Sequence, residues 1–427
     1  MTDASRFGCL LMACFLVSCR GGGVDSVSNR DPGRIRKSPE LKVPVNDWPW
    51  WSGPTRNFVA RAGSIPTEFG EDRNCQWVYS IQGEGHSSPI VIGDRVCLTV
   101  ADPKASTKSL VCLNRQSGRQ EWVTEIHSGP FMHCHGKNSQ ASASPASDGK
   151  RVYVAFMFDK GIQVSAVDLS GALLWQARAG NFSSRHGFGS SLVLYRSLVI
   201  VAGDNPGSGF LSALDSSSGE IVWRIRRRNE SSYSTPAIAR LGGKDQLLIS
   251  GAGRVHGYDP VTGEELWSSE GPAKTTANTV LTDGTMVFAG GGYPENRFVC
   301  VDPGKGELRW EVRLKNYVPS PLLAEKAVIV PQDGGILSSL DRGTGEVNWK
   351  IRLGQDLSGS AVLLGERLYL CGEKGTVFVV SLQGRVIARN RLNGRILSTP
   401  VICGNQLWVR SAEALFCFSN PTIEKIN

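Results

Sequence analysis

Several things are scarce in this chain of 427 residues, and each scarcity excludes a class. There is no Cys-Cys dipeptide and no Cys-x-x-Cys, so the spacing of a structural zinc site is missing. There is no Gly-x-x-x-x-Gly-Lys phosphate loop and no His-Glu-x-x-His metalloprotease motif. Gly251-Ala252-Gly253-Arg254-Val255-His256-Gly257 imitates a dinucleotide loop, but its spacing is wrong. No apolar run is long enough to span a bilayer. The formal charge of +8 is too mild for the dense basic footprint of a nucleic-acid binder. Long glycine-free apolar periodicity is also rare. The 49 Gly and 21 Pro are spread among Val, Ile, Leu, Tyr and Trp, which disfavours a helical bundle and favours many short strands joined by turns.

The N-terminus reads as an address. Residues 1–18 form a signal peptide, with Arg6 in a weak basic region and an apolar run from Phe7 to Val17. The run ends in Leu16-Val17-Ser18-Cys19, which resembles a bacterial lipobox, so Cys19 is the expected lipid attachment and an ordinary signal peptide the alternative. Arg20 follows; the absence of Asp there leans, by resemblance to lipoprotein sorting, toward the outer membrane facing the periplasm. Residues 19–46 carry no apolar periodicity and are expected to be a flexible tether. Residues 47–74 hold the strap Trp48-Pro49-Trp50-Trp51, expected to pack over the sides of the folded part. Residues 419–427 are expected to be a tail.

A repeat decides the fold over residues 75–418. Trp follows a turn glycine by four positions six times: Trp122, Trp175, Trp223, Trp267, Trp310 and Trp349 follow Gly118, Gly171, Gly219, Gly263, Gly306 and Gly345. A seventh copy keeps Gly384 and has Ala388 in the Trp place. An Asp or Asn precedes most of these glycines, as Asp215, Asp259, Asp302 and Asp341 do, and reads as the holder of a hairpin turn. Starting from Trp77, the tryptophans are 45, 53, 48, 44, 43 and 39 residues apart. A second phrase opens each copy: Ser88-Pro89, Ser144-Pro145, Ser191-Leu192, Thr235-Pro236, Asn278-Thr279, Ser320-Pro321, Ser360-Ala361 and Thr399-Pro400. Four short strands at this period are propeller blades. The eighth copy stops after three strands, and Cys75-Gln76-Trp77-Val78-Tyr79 supplies the missing one. The expectation is an all-β, eight-bladed propeller of four-stranded blades, closed by an N-terminal strand in the last blade, with the seven phased tryptophans filling gaps between blades.

The paired phrases Asp-x-x-Thr-Gly-Glu-x-x-Trp and Ser-Pro resemble the pyrroloquinoline-quinone-like (PQQ-like) repeat. That repeat occurs in quinoprotein dehydrogenases and in BamB-type outer-membrane assembly lipoproteins. The resemblance implies either a quinone enzyme or a non-catalytic envelope scaffold. A quinone enzyme implies a vicinal disulfide, a calcium site and a catalytic Asp. With no Cys-Cys and no acidic cluster at calcium-ligand spacing, no catalytic residue, no metal site and no PQQ cofactor is expected. The expected role is a monomeric, membrane-tethered scaffold for an envelope protein partner, with a carbohydrate or small ligand as the alternative.

Loop lengths point to the working face. Trp122 to Ser144 spans 22 residues and Trp175 to Ser191 spans 16, against 10 to 12 elsewhere. These neighbouring loops share one face of the ring and carry His133, His135, Lys137, Asn138, Arg185 and His186, the candidate binding face. His133 and His135 alone are too few ligands for a metal. Of the cysteines, Cys112, Cys300 and Cys417 fall at equivalent third-strand positions and read as small buried hydrophobes. Cys75 and Cys417, on adjacent strands of the closing blade, are a candidate disulfide.

Overall fold

A computed structural model describes residues 31–421 and the backbone of Val24–Asp25. Eight antiparallel sheets follow one another around an axis. Seven blades use four consecutive strands, from Ile90–Ile92, Arg95–Asp102, Thr107–Asn114 and Gln120–Ser128 in blade 1 to Val362–Leu364, Arg367–Gly372, Thr376–Ser381 and Val386–Arg391 in blade 7. Blade 8 takes Val401–Cys403, Gln406–Arg410 and Ala414–Phe418 from the end of the chain and Cys75–Ser80 from its beginning, with Trp77 opposite Cys417. The ring is therefore the expected eight-bladed propeller, and its closure pairs what would otherwise be an open sheet edge. Val24–Asp25 adds a short fifth strand to the outer edge of blade 3, opposite Ile225 and Arg224.

The turn chemistry works locally. The Asp341 carboxylate accepts from the amides of Gly343 and Thr344 at 2.9 Å each, and Gly345 takes φ +78°. The phased glycine then meets the tryptophan of the preceding blade. A Cβ on Gly345 would lie 2.6 Å from the Trp310 ring, and one on Gly118 2.5 Å from Trp77. Each of these indoles also donates to a carbonyl of the next blade, Trp310 to Arg342 O at 3.2 Å and Trp77 to Arg115 O at 3.0 Å. The glycine and the tryptophan of two blades thus make one peg.

Trp267 is the exception. Its indole turns onto its own blade and donates to Gln246 Oε1 at 2.7 Å, and nothing lies within 3.5 Å of a Cβ on Gly306. The cause is the residue beneath it. Along each blade the Trp position lies opposite a third-strand residue, which lies opposite a second-strand residue. The third strand is small under a tryptophan: Cys112, Ala166, Ala213, Gly257, Cys300, Ser339 and Cys417. Gly257 is the smallest, and Trp267 occupies the space its missing Cβ leaves, 2.2 Å from where that atom would stand. In blade 7, where Ala388 replaces Trp, the third strand carries the larger Val379. The second strand balances this with a bulky side chain in seven blades: Tyr153, Ile200, Leu248, Phe288, Ile329, Tyr369 and Trp408. Blade 1 alone has Cys97 there, opposite Cys112.

The blade-opening phrase has its own purpose. Ser88 N–H donates to Ser144 Oγ at 2.9 Å, Ser144 N–H to Ser191 Oγ, and Ser191 N–H to Thr235 Oγ1. The chain of bonds resumes from Thr279 to Ser320, Ser360 and Thr399, and Thr399 N–H closes back on Ser88 Oγ at 3.0 Å. A belt of hydroxyls thus ties neighbouring blades around the axis, satisfying backbone donors that are buried there. In blade 5 the belt residue is Thr279. Asn278 instead sends its amide to Gly290 O and Asn316 O.

The N-terminal segments depart from expectation. Residues 31–46 lie against the ring. Asp31 caps the helix Pro32–Lys37 through Gly33 N, and Ile35 is 4% exposed within the apolar cluster of blades 3 and 4. Arg36 pairs with Asp259 at 2.7 Å. The expected tether therefore does not hold for residues 31–46; residues 19–30, with the signal peptide and Cys19, fall outside the described side chains. The tryptophan strap packs inside the ring, not on the blade sides. Trp48 bridges Val91, Pro49 O accepts from Ser147 N, Arg56 reaches Leu194 O, Asn57 bonds Leu323, and Phe58 and Ala60 bracket Leu363. These partners lie on innermost strands, whose free edges need covering. Asp47 and Ser64 also bind the turns at Gly93 and Asn405, on the face opposite the long loops.

All eight described cysteines are free thiols, and the register argues against joining Cys75 to Cys417. A bulge between Cys75 and Trp77 sets Cys75 opposite Phe418 and leaves Trp77 opposite Cys417. Cys417 Sγ instead meets Gln76 Oε1 at 3.3 Å, and Cys75 Sγ meets Trp77 O.

Candidate functional site: an axial chamber under a latched loop

The two long loops meet over the mouth of the channel. Residues 129–145 leave the outer strand of blade 1, and residues 182–192 leave that of blade 2. Asn138 Nδ2 donates to His186 O at 2.6 Å, and His135 N–H to the same carbonyl at 3.3 Å. Gly187, at φ +82°, lets the loops approach, since a Cβ there would fall 2.7 Å from Cys134 Cβ. The first loop then crosses to blades 7 and 8. Lys137 Nζ lies 2.7 Å from Glu373 Oε1 and 3.6 Å from Asp356, while Arg395 donates to Gly136 O at 2.9 Å and lies 3.4 Å from Glu373. Ser358 Oγ also donates to Glu373. Burial pushes the Glu373 carboxyl up, but the bonds from Lys137, Ser358 and Arg395 outweigh it and hold it below its ordinary value. The same ion pairs outweigh burial at Lys137 and raise it. Both stay charged at neutral pH, and the loop is latched across the mouth.

Under this roof is a chamber of about 200 Å³. Trp51 of the strap forms part of its wall, its indole donating to Thr279 Oγ1 of the belt at 3.2 Å. His86, His135 and His186 line it with Tyr233 and Tyr317, and no Asp, Glu or Cys does. His186 Nδ1 and Tyr233 OH are 2.9 Å apart, and Ser184 Oγ shares the same hydroxyl. Burial, then Arg410 and Arg395, push His86 down to about 4, so it is neutral at pH 7. Burial and then the neighbouring His135, Arg185 and His133 lower His186 as well.

Of the candidate face, His135, Lys137, Asn138 and His186 converge on the chamber, while His133 and Arg185 are exposed and outside its lining. His127, counted with the loop by its position after Trp122, belongs to the outer strand of blade 1 and stacks on Phe158 at 4.4 Å. Sequence reading singled out Trp51 within the strap but placed it on the blade sides, and it missed His86, Tyr233, Tyr317, Glu373 and Arg395. The one available signal was position, since His86 stands two residues before the belt serine Ser88. Among the described residues no three His, Cys, Asp or Glu side chains group as a metal site, and no helix is long and apolar enough to cross a membrane.

The chain is similar to proteins of both kinds that carry the repeat. A Bordetella pertussis outer membrane protein assembly factor BamB is 24% identical over 221 residues, spanning 47% of this chain and about half (55%) of that relative. The crystal structure of BamB from Moraxella catarrhalis superposes with a TM-score of 0.61 at 17% identity, covering 81% of this chain and 99% of that one. A europium-containing methanol dehydrogenase superposes with a TM-score of 0.73 at 11% identity, covering 91% and 100%. At these identities the structural likenesses establish the fold alone. The sequence model described as "Outer membrane protein assembly factor BamB" matches residues 70–179, 107–350 and 251–418, and with most of its length so matched the chain belongs to that family of PQQ-like repeat propellers.

Proposed function

We propose that this protein is a non-catalytic binding propeller of the cell envelope, anchored through lipid on Cys19, whose axial chamber receives a small ring-shaped polar ligand such as a sugar. The observation that carries this is the chamber wall. Trp51, Tyr233 and Tyr317 offer flat apolar faces, and His86, His135, His186 and Asn138 offer donors and acceptors around them. That combination suits stacking on a ring with hydrogen bonds at its rim. The quinone cofactor named in the repeat does not fit by the same measure. The carboxylates and vicinal disulfide implied by a dehydrogenase have no counterpart on this wall, and no oxidation step is assigned.

Family membership supports a second reading, a BamB-like scaffold for an envelope protein. One surface favours it: Leu173 and Leu174 stand 42% and 47% exposed on the long free outer strand of blade 2, where an extended partner strand could pair. The loop of residues 131–138 does not stand out as a docking arm, because Lys137 and Asn138 are spent on the latch and on His186 O.

A thermal-shift series on the full chain with glucose, N-acetylglucosamine and PQQ separates these readings. A ligand at about 100 times its Kd stabilises by about 2.7 kcal/mol. The chamber reading expects such a shift with a sugar, lost in Tyr317→Ala. No shift with either sugar, together with crosslinking of an envelope protein to the blade 2 edge, overturns it in favour of the scaffold. Dye-linked alcohol oxidation with added PQQ overturns the non-catalytic reading.

A further inference from the structure

Blade 1 breaks the packing rule that the other seven blades keep. Elsewhere a bulky second-strand residue faces the third-strand residue, which is small in all but blade 7. In blade 1 two thiols face each other, Cys97 and Cys112, both fully buried. Arg115 N–H donates to Asp94 O at 2.8 Å, so the hydrogen-bonded pairs of this ladder fall at 94/115, 96/113 and 98/111. Cys97 and Cys112 therefore occupy a non-hydrogen-bonded pair between them, where Cα atoms are about 4.5 Å apart and side chains are closest. That separation lies inside the range a disulfide spans.

We propose that Cys97 and Cys112 close into a cross-strand disulfide when the chain folds in an oxidising medium. The bond replaces the bulky partner that blade 1 lacks and joins the two central strands of the first blade. Its formation is thiol–disulfide exchange with a protein disulfide of the oxidoreductase class. One thiolate attacks that disulfide, forming a mixed disulfide and releasing one partner thiolate. The second cysteine, as its thiolate, then attacks the mixed bond and releases the other partner sulfur. Two protons leave the pair, and the two electrons reside in the partner's dithiol. The step precedes completion of the blade. Once folded, contact between the two thiols and full burial hold the Cys97 proton far more tightly than usual, and no partner can reach it.

The inference shares with the proposed function the reading that the chain is exported, and the test separates the two. The full chain is refolded in a glutathione redox buffer, and separately recovered from cell envelopes. Both samples are denatured, alkylated without reduction and digested. The expected result is one linked peptide pair joining Cys97 to Cys112, with Cys75, Cys134, Cys300, Cys371, Cys403 and Cys417 alkylated. Alkylation of both Cys97 and Cys112 in the refolded chain overturns the disulfide. A bond in the refolded chain with reduced cysteines in the cell-derived chain supports the pair and overturns export.

Discussion

The peg between blades makes a prediction that two glycines can decide. Gly345 and Gly306 occupy the same turn position in successive blades, at φ +78° and +69°. Alanine at either must adopt a left-handed backbone, which costs about 1 kcal/mol. Only at Gly345 does the new methyl meet a neighbour, 2.6 Å from the Trp310 ring. Real carbon contacts need about 3.5–4.0 Å, so the indole must shift, lose its bond to Arg342 O and unseat the blade 5–blade 6 junction. Overpacking of this kind costs about 1–3 kcal/mol. Gly306→Ala is thus expected to cost about 1 kcal/mol and Gly345→Ala about 2–4 kcal/mol. For a ring of about 350 residues, at about 2 cal/mol/K of unfolding entropy per residue, each kcal/mol lowers Tm by about 1.5 °C. Calorimetry should therefore find Gly345→Ala melting about 1.5–4.5 °C below Gly306→Ala. The double variants Gly345→Ala/Trp310→Ala and Gly306→Ala/Trp267→Ala complete the comparison. The first should recover part of the alanine penalty and the second none. Equal losses in the two single variants would refute the inter-blade peg, leaving the glycines as turn residues only.

Three further outcomes follow from the site. His86 falls from its ordinary value to about 4 on folding, so between pH 6.5 and 4 the unfolded chain binds the proton that the folded chain refuses. Stability is expected to decline over that window by up to about 3 kcal/mol at about 1.4 kcal/mol per pKa unit, and His86→Gln should flatten that limb in urea titrations read at pH 4, 5 and 7. Glu373 is lowered and Lys137 raised, so the latch holds across neutral pH, opening as pH falls through the carboxyl's depressed pKa or rises through the ammonium's elevated one. Glu373→Gln should speed hydrogen exchange in residues 131–138 at pH 7 while leaving Tm within a degree or so, since the pair is partly exposed and worth little to global stability. Cys19→Ala should move the protein from membranes to the soluble fraction on sedimentation; retention in membranes would end the lipoprotein reading.

The ring was legible because its defining residues recur. Trp and Gly in fixed phase, with an acid before the glycine, repeat often enough to count blades and to show that the first strand completes the last. Contacts made once were not legible. The phasing placed the tryptophans between blades without showing what they meet there: the turn glycine of the next blade in six cases, but not at Gly306, because of the single residue Gly257 under Trp267. The hydroxyl phrase was visible, but without its purpose Asn278 and Thr279 were interchangeable; only the bond to Ser320 Oγ picks out Thr279. Cys75 and Cys417 do lie on paired strands, but a bulge, which adds one residue without a sequence signature here, spoils their register. The strap's tryptophans announced burial, while their destination depends on Val91, Thr279 and Leu363, far away in sequence. His86, Tyr233 and Tyr317 belong to different repeats, and only closure of the ring brings them to one chamber.

These pieces together fix how the chamber can be reached. The hydroxyl belt ties neighbouring blades at the axis and the tryptophan pegs tie most of them farther out, so two concentric sets of contacts resist opening between blades; the blade 4–blade 5 junction, where the belt is interrupted and Trp267 turns away from Gly306, has neither. At the end of the channel opposite the long loops, the strap hydrogen-bonds innermost strands of several blades and buries Trp48 completely. Clearing that end would break strand-edge bonds in blade after blade. At the other end the roof is residues 131–138, held by Lys137, Arg395 and Glu373 and by the bonds of Asn138 and His135 to His186 O of the neighbouring loop. The energetic asymmetry is large: many buried backbone bonds on one side against a few partly exposed charge contacts on the other. Residues 131–138 are therefore the part of the chamber's surround that moves at least cost, and the Glu373 cluster sets how often they lift.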